Sequence, residues 1–574
     1  MDFVRSELQL SRSVVDSPLG LVASGHELSA EAGGEILRDG GNAFDAAAAA
    51  IFASWVVEPE SCGLGGLGRG IVYHAESEQV RVLSSTGRVP AAATEDMFVL
   101  EEGLDPWGRW RKVKENANMI GPRSPMIPGM LAGICAVLDD FGTLPLGRLL
   151  EPAIGFAKDG IEIDGYTTLQ IASNLTHLLA YPETAAIFAP DGVPLKPGAM
   201  HQAGSRLVQE DLAVSLERIG TNGPDVFYGG ELAAKIEGHL QSIGGILTAA
   251  DLASYRPDFR APERTGSYRG TELVWSDGFF ANLILNVLEN FDLQTLEPGS
   301  PRYYHLLIEA TRFSFASLLA NLADPLVRPS PLTALWSKEY AAEIAGRIDT
   351  GRAAEKPEAV NPWPTETRLT GRKPPNQVEQ ASGQPIDPGT SQVVVVDGAG
   401  NVVTFNMTHS GPFGSMVTVP GTGILLNGAM TSMDPEPGKV HSIHPKRRHL
   451  GFSAPVLALS EGRPYFAFSA SGGRSVITCQ VQVVCGIVDY GLSAQQAIEL
   501  PRMHCELGPT RIDRHVGHTV IAELRKLGHD LDVVAETFYA PYFARPVCVE
   551  ADRERETFRS GISQVHRTAA TALR

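Results

Sequence analysis

The chain has 574 residues, 43% of them hydrophobic and 20% charged, with a formal net charge of −18. This balance suits a folded protein and argues against a disordered or fibrous class, with apolar material for one large core or two to four ordinary domains. An acidic surface is a poor partner for a phosphate backbone, so a nucleic-acid-tracking protein is disfavoured.

Six cysteines, Cys62, Cys135, Cys479, Cys485, Cys505 and Cys548, form no C-x-x-C pair. They are too sparse for a disulfide scaffold, and a reducing, cytoplasmic location is the expectation. The first nine residues lack the basic and apolar regions of a secretory signal. No run of 18 apolar residues occurs, so no membrane contact is expected.

In chain order, residues 30–37 read as a helix stopped at Gly40-Gly41, and 45–55 as a second helix, the core of an apolar, small-residue run over 46–57. Residues 71–74 and 79–83 form a hairpin pattern. Residues 127–260 look mostly helical, notably 128–140, 149–158 and 231–244. Residues 351–389 carry seven prolines and few large apolar groups, which reads as a loop or linker. It ends at Thr390-Ser391-Gln392, followed by Val393 to Val396, a turn over Asp397-Gly398-Ala399-Gly400-Asn401, and Val402-Val403-Thr404-Phe405, a strong hairpin signal. A strand over 465–469 and helices over 476–490 and 494–499 follow.

Gly63-x-Gly65-x-x-Gly68 has the letters of a dinucleotide fingerprint but sits before a strand, where the fingerprint opens a helix. It reads as a tight turn, and no cofactor is expected. His441 and His444 lack accompanying carboxylates and read as a solvated loop, with no metal site. No G-x-S-x-G elbow occurs.

Two segments have chemical potential. If the chain were cut between Gly389 and Thr390, Thr390 would carry an α-amine of pKa about 8 beside its own hydroxyl, able to take that proton near neutral pH. An ordinary linker-to-strand boundary accounts for the same residues. Ser469-Ala470-Ser471-Gly472-Gly473-Arg474-Ser475 joins a strand to a helix, and paired glycines there can aim N–H groups at an anion, as in an oxyanion hole.

Further segments complete a pattern. These are Gly40-Gly41-Asn42-Ala43-Phe44-Asp45-Ala46-Ala47, Val57-Glu58-Pro59 with the glycines after it, Pro90-Ala91-Ala92-Ala93-Thr94-Glu95-Asp96-Met97-Phe98, Gly223-Pro224-Asp225-Val226-Phe227-Tyr228, Gly244-Gly245-Ile246-Leu247-Thr248, Pro420-Gly421-Thr422-Gly423-Ile424-Leu425-Leu426-Asn427, and Asp489-Tyr490-Gly491-Leu492. Together, over roughly residues 18 to 510, they resemble the γ-glutamyltransferase family of N-terminal-nucleophile hydrolases.

The resemblance implies an α+β fold, a four-layer αββα sandwich, made as a precursor that cuts itself before Thr390. The pieces would be a large subunit, 1–389, and a small one, 390–574, intertwined as one domain. Thr390 would be the nucleophile and Thr408 its assisting threonine, with Gly472 and Gly473 supplying the oxyanion amides. The partners implied are a small-molecule acyl donor and a water or amine acceptor.

The glutamate-binding positions depart from the family's pattern. Thr86 stands where the carboxylate-binding arginine belongs, and Arg88 is the substitute two residues on. Ser410 replaces an asparagine, Ala429 a polar residue, Ser432 the aspartate that pairs with the α-ammonium, and Gly451-Phe452 a Ser-Ser pair. Residues 276–282, expected as a Pro-rich Ser-Ser-Gly-Gly loop, read Ser-Asp-Gly-Phe-Phe-Ala-Asn. Losing a buried ion's partner typically leaves several kcal/mol uncompensated. The bond-breaking groups are therefore kept while the zwitterion pocket is rebuilt, and Phe279, Phe280 and Phe452 suggest a flatter or more apolar acyl group. The expected activity is a Thr-dependent amide hydrolase or acyltransferase acting on something other than glutathione. A C–C bond hydrolase of the alkylproline-precursor type and a non-catalytic, single-chain scaffold are the alternatives.

Overall fold

The computed structural model describes residues 11–106, 108, 110–276, 278–323, 329–374, 389–448, 455–538 and 542–573. Phe452 and residues 375–388 lie outside them.

Two seven-stranded sheets form the centre. In the first, strands run in the order Ala569–Ala572, Gly20–Ser24, Thr390–Asp397, Val402–Thr408, Leu67–His74, Gln79–Ser85 and Asp258–Arg260. In the second, the order is Asp16–Ser17, Thr557–Ile562, Arg545–Asp552, Arg463–Ser471, Val456–Ser460, Thr271–Trp275 and Thr265–Tyr268. Every neighbouring pair in both sheets is antiparallel.

The alternation of side chains along each strand divides the core. Val394 and Val396 join Leu457, Ala467 and Val547 between the sheets. Val393 and Val395 instead meet the helices outside the first sheet. A second helical layer, with helices Phe279–Leu288, Pro301–Asn321 and Ser475–Tyr490, covers the other sheet. The result is the expected αββα sandwich.

The helix Ala43–Val57 is buried along its whole length, as its small residues allow. Asn42 and Asp45 form its capping box. Asp397, in the hairpin turn, accepts from the Ala43 N–H at 2.9 Å and from Asn401 Nδ2 at 2.8 Å, tying the turn to that helix start. The Gly63–Gly68 segment is the expected tight turn: a Cβ on Gly65 would stand 2.3 Å from the Leu425 carbonyl oxygen.

One expected loop is partly ordered. Within 351–389, Trp363–Thr370 is a helix. Proline is tolerated in a first helical turn, and Glu366, fully buried, accepts from the Ala334 N–H at 2.7 Å, docking the helix against the helix Leu332–Trp336. No helix among the described residues is long and apolar enough to cross a membrane.

Candidate active site

Thr390 opens its strand directly opposite Thr408, the last residue of the neighbouring strand. Even-numbered side chains of both strands face the inter-sheet gap, so the two hydroxyls meet there. Thr390 Oγ1 donates to Thr408 Oγ1 at 3.1 Å, and Thr408 Oγ1 donates to the Gly389 carbonyl oxygen. The Ser410 N–H completes the set, donating to Thr408 Oγ1 at 2.8 Å. Thr390 is nearly enclosed.

Gly389 has φ +116°, a region that favours glycine, and a Cβ there would lie 2.6 Å from the Gly411 carbonyl carbon. The carbonyl that Thr408 polarises therefore belongs to a residue that must be small.

The second sheet brings in the glycine pair through a constant offset. Thr404 Oγ1 donates to the Phe468 carbonyl at 3.1 Å, and Asn406 Nδ2 to that of Ala470 at 2.6 Å. Ser469 Oγ answers by donating to the Phe405 carbonyl at 2.9 Å. Each pair is 64 residues apart, so the strand that ends at Ser471, just before the glycine pair, runs across the gap from the strand Val402–Thr408. Gly472 and Gly473 have φ +134° and +59°, and the helix Ser475–Tyr490 begins two residues later. Ser475 Oγ donates to the Gly472 carbonyl at 2.5 Å, fixing that carbonyl at the helix start.

The substrate-side positions divide. Arg88 is half-buried, its backbone bridging Ile127 and Arg448, and its guanidinium has no hydrogen-bond or ion-pair partner among the described residues. Behind it, Tyr255 donates its phenol proton to the Thr86 carbonyl at 2.9 Å. Ser410 is fully buried with φ +63° and contributes its backbone to the site. Ser432 Oγ donates to the Ala429 carbonyl at 2.8 Å, inside its own 3-10 turn, so its hydroxyl is committed. The surroundings are apolar: Ala429, Met430 and Met433 cluster with Leu67, Val89 and Phe98.

Two sequence expectations fail here. Phe280 packs on Phe315 in the helical layer outside the second sheet, and Phe279 packs on Trp336, so neither faces Thr390. A helix start at residue 279 turned both rings into that layer. His441 is not solvated: it is buried 6.1 Å from the Trp110 ring, whose indole N–H donates to the Thr431 carbonyl at 3.1 Å. His444 is half-buried, its ring 2.7 Å from Glu95.

Sequence reasoning missed the groups under Thr390. Ser391, pointing the other way, donates to Glu58 Oε2 at 2.6 Å. His409, fully buried, has its pKa pushed down to about 3 by burial, so the ring beside Gly63 is neutral. Neither has a local signal, because their partners are distant in sequence.

The four layers, with two threonines paired at a strand end beside the inter-sheet gap, define an N-terminal-nucleophile hydrolase fold. The chain belongs to the gamma-glutamyltranspeptidase family, whose family model matches residues 29–543. It is 36% identical over 515 residues to the acylase ACY 1 proenzyme of Pseudomonas sp. (strain SE83), covering 89% of this chain and 87% of that protein. It is 31% identical over 516 residues to the glutathione hydrolase proenzyme of Bacillus subtilis (strain 168), covering 89% and 85%. The crystal structure of cephalosporin acylase from Bacillus halodurans superposes with a TM-score of 0.85 at 25% identity, over 100% of this chain and 99% of that one. The protein is thus a hydrolase or acyltransferase of this family acting through an acyl-enzyme.

Proposed function

We propose that the chain matures by cleavage between Gly389 and Thr390 and that Thr390 is then the nucleophile of an amide acylase whose preferred donors lack the α-ammonium of a glutamyl group. The observation that carries this reading is the hydroxyl relay from Thr390 through Thr408 to the Gly389 carbonyl. In maturation, Thr390 Oγ1 attacks the Gly389 carbonyl carbon while Thr408 polarises its oxygen. The C–N bond breaks, the amine is released, and water hydrolyses the resulting ester.

In turnover the same oxygen attacks the donor carbonyl and its proton passes to the new α-amine. The Gly472 and Gly473 N–H groups hold the oxyanion. The α-ammonium returns the proton to the leaving amine. Water, or a second amine, then releases the acyl group from Thr390. Arg88 is a cation placed to meet an anionic acyl terminus. The committed hydroxyl of Ser432 and the alanine at 429 put no carboxylate at the two positions where the family's pattern has a polar residue and the aspartate that pairs with the ammonium. The acylase and cephalosporin acylase names among its relatives fit such a donor. Six free, buried cysteines favour a reducing compartment such as the cytoplasm.

Mass spectrometry of the purified protein after incubation with candidate donors tests this. The expected products are a 185-residue fragment beginning at Thr390 and the same fragment carrying an acyl adduct. An uncut chain without an adduct overturns the reading.

A further inference from the structure

The residue after the nucleophile is the end of a buried charge network that reaches the C-terminal tail. Ser391 faces the helical layer and donates to Glu58 Oε2 at 2.6 Å. Gly25 leaves room for that contact, since a Cβ there would lie 2.5 Å from Ser391 Oγ and 2.7 Å from Glu58 Oε1. Glu58 caps the C-terminal end of the fully buried helix Ala43–Val57. Its other oxygen lies 3.5 Å from Nη2 of Arg567.

Arg567 is buried and ties several elements together. The same Nη2 pairs with Glu60, while Nη1 reaches Asp164 at 2.6 Å and Thr167 Oγ1 at 2.7 Å. Its guanidinium carbon stands 5.1 Å from the Tyr166 ring centroid. Glu58 and Glu60 are almost completely enclosed, and His26 stands 3.8 Å from Asp164. Among the described residues, Arg567 is the one arginine or lysine in ion-pair range of these three carboxylates. Glu60 also holds the cover of the scissile bond, because its carbonyl accepts from the Phe413 N–H at 3.1 Å and the Ser61 carbonyl accepts from the His409 N–H at 3.0 Å.

Without its cation, this cluster would be a set of buried like charges, and carboxylates so placed move apart, take up protons or draw in water. Glu58 could then not keep its acceptor oxygen on Ser391. Before cleavage Thr390 is held by peptide bonds on both sides. After cleavage its amine end is free, and the next fixed point along the strand is Ser391.

We propose that Arg567, which lies beyond the family match ending at residue 543, is a positioning residue that acts through Glu58 and Ser391 to hold the freed end of the nucleophile strand in register with Thr408. This rests on Thr390 being the nucleophile.

The test uses full-length protein carrying R567Q, R567K, S391A, S391T or T390A, with kcat and KM measured on a chromogenic acyl anilide and cleavage followed on denaturing gels. R567Q is expected to lower kcat on the order of 100-fold, the scale of an ångström-sized misplacement, with KM nearly unchanged. S391A is expected to lower kcat about tenfold, the size of one hydrogen bond to a charged group. R567K and S391T, which keep the charge and the hydroxyl, should recover most of the loss. The S391A/R567Q double variant should be no slower than R567Q alone. Uncut chain accumulating in folded S391A would place the defect before the strand end is freed and would count against the proposal. If R567Q fails to fold, S391A carries the test, since it leaves Arg567 and its carboxylates in place. Wild-type kcat and cleavage in S391A overturn the proposal while an inactive T390A leaves the nucleophile reading standing. An active T390A overturns that reading instead.

Discussion

Thr390 and Thr408 are eighteen residues apart on antiparallel strands, and the first donates its hydroxyl proton to the second at 3.1 Å. Thr408 in turn contacts the carbonyl of Gly389, so in the proposed reaction one hydroxyl serves both the bond to be cut and the nucleophile that would cut it. T408A should therefore slow both maturation and turnover, the latter about 100-fold, the typical cost of one lost transition-state donor. T408S should retain most of both. Gel densitometry over time and kcat/KM on one donor check the two effects.

Gly389→Ala should block maturation more than it harms folding. Its Cβ would meet the Gly411 carbonyl carbon at 2.6 Å, and φ +116° is strained for alanine. The scissile carbonyl must then turn away from Thr408. A cleavage rate at least about tenfold lower is expected, read as persistence of the 574-residue chain.

Donor preference should follow the missing carboxylate. S432D restores an acid where the family pairs the α-ammonium. It should raise kcat/KM for a γ-glutamyl anilide relative to the des-amino glutaryl anilide by roughly tenfold, the value of one charge-assisted hydrogen bond. Arg88→Ala should raise KM for both anilides, since both carry an acyl-terminal carboxylate. An unchanged ratio in S432D would argue against the altered-pocket reading.

Asp434 gives a pH-dependent prediction. Burial raises its pKa from 3.8 to about 6, helped by the Glu436 charge and opposed by the Glu436 N–H, Lys439 and Arg447. The folded state then holds a proton that the unfolded state releases, so this carboxyl costs stability as pH rises from about 4 to 6. The cost is full above about pH 6, at about 3 kcal/mol for such a shift. D434N keeps the oxygen that accepts from the Glu436 N–H at 3.0 Å. It should stabilise the protein at pH 7.5 and have almost no effect at pH 3.5. Chemical denaturation at the two pH values distinguishes this from a pH-independent packing effect.

Local chemistry made much of the fold legible. The hairpin from Thr390 to Thr408 announces itself through two β-branched runs around a Gly/Asp/Asn turn, and it forms with the expected pairing. The helix at 43–57 shows in its capping residues and continuous apolar run. The helix at 363–370 was hidden, because Trp363 and Glu366 become helix-forming only when buried against residues 334 and 372. Phe279 and Phe280 misled for a similar reason: aromatic residues near a site in sequence turned toward a different core layer.

The candidate site shows the same division. The residue types at 390, 408, 472 and 473 are visible in the chain because each sits at a strand end or turn with its own backbone signature. The meeting of Thr390 with Thr408 comes from strand register, and the strand that leads to Gly472 is brought alongside by the stacking of two sheets whose hydrogen bonds link residues 64 apart. The Ser391–Glu58–Arg567 network is more strongly tertiary still, since Glu58 is 333 residues from Ser391 and 509 (567 − 58) from Arg567, with no local spacing to signal the contacts. Sequence alone pointed to the family and, through that resemblance, to the sandwich and the nucleophile candidate, because the motifs that carry the resemblance are short local runs of residues. Only the three-dimensional packing decided which side chains share the gap with Thr390, since burial and charge pairing arise from contacts that sequence spacing does not encode.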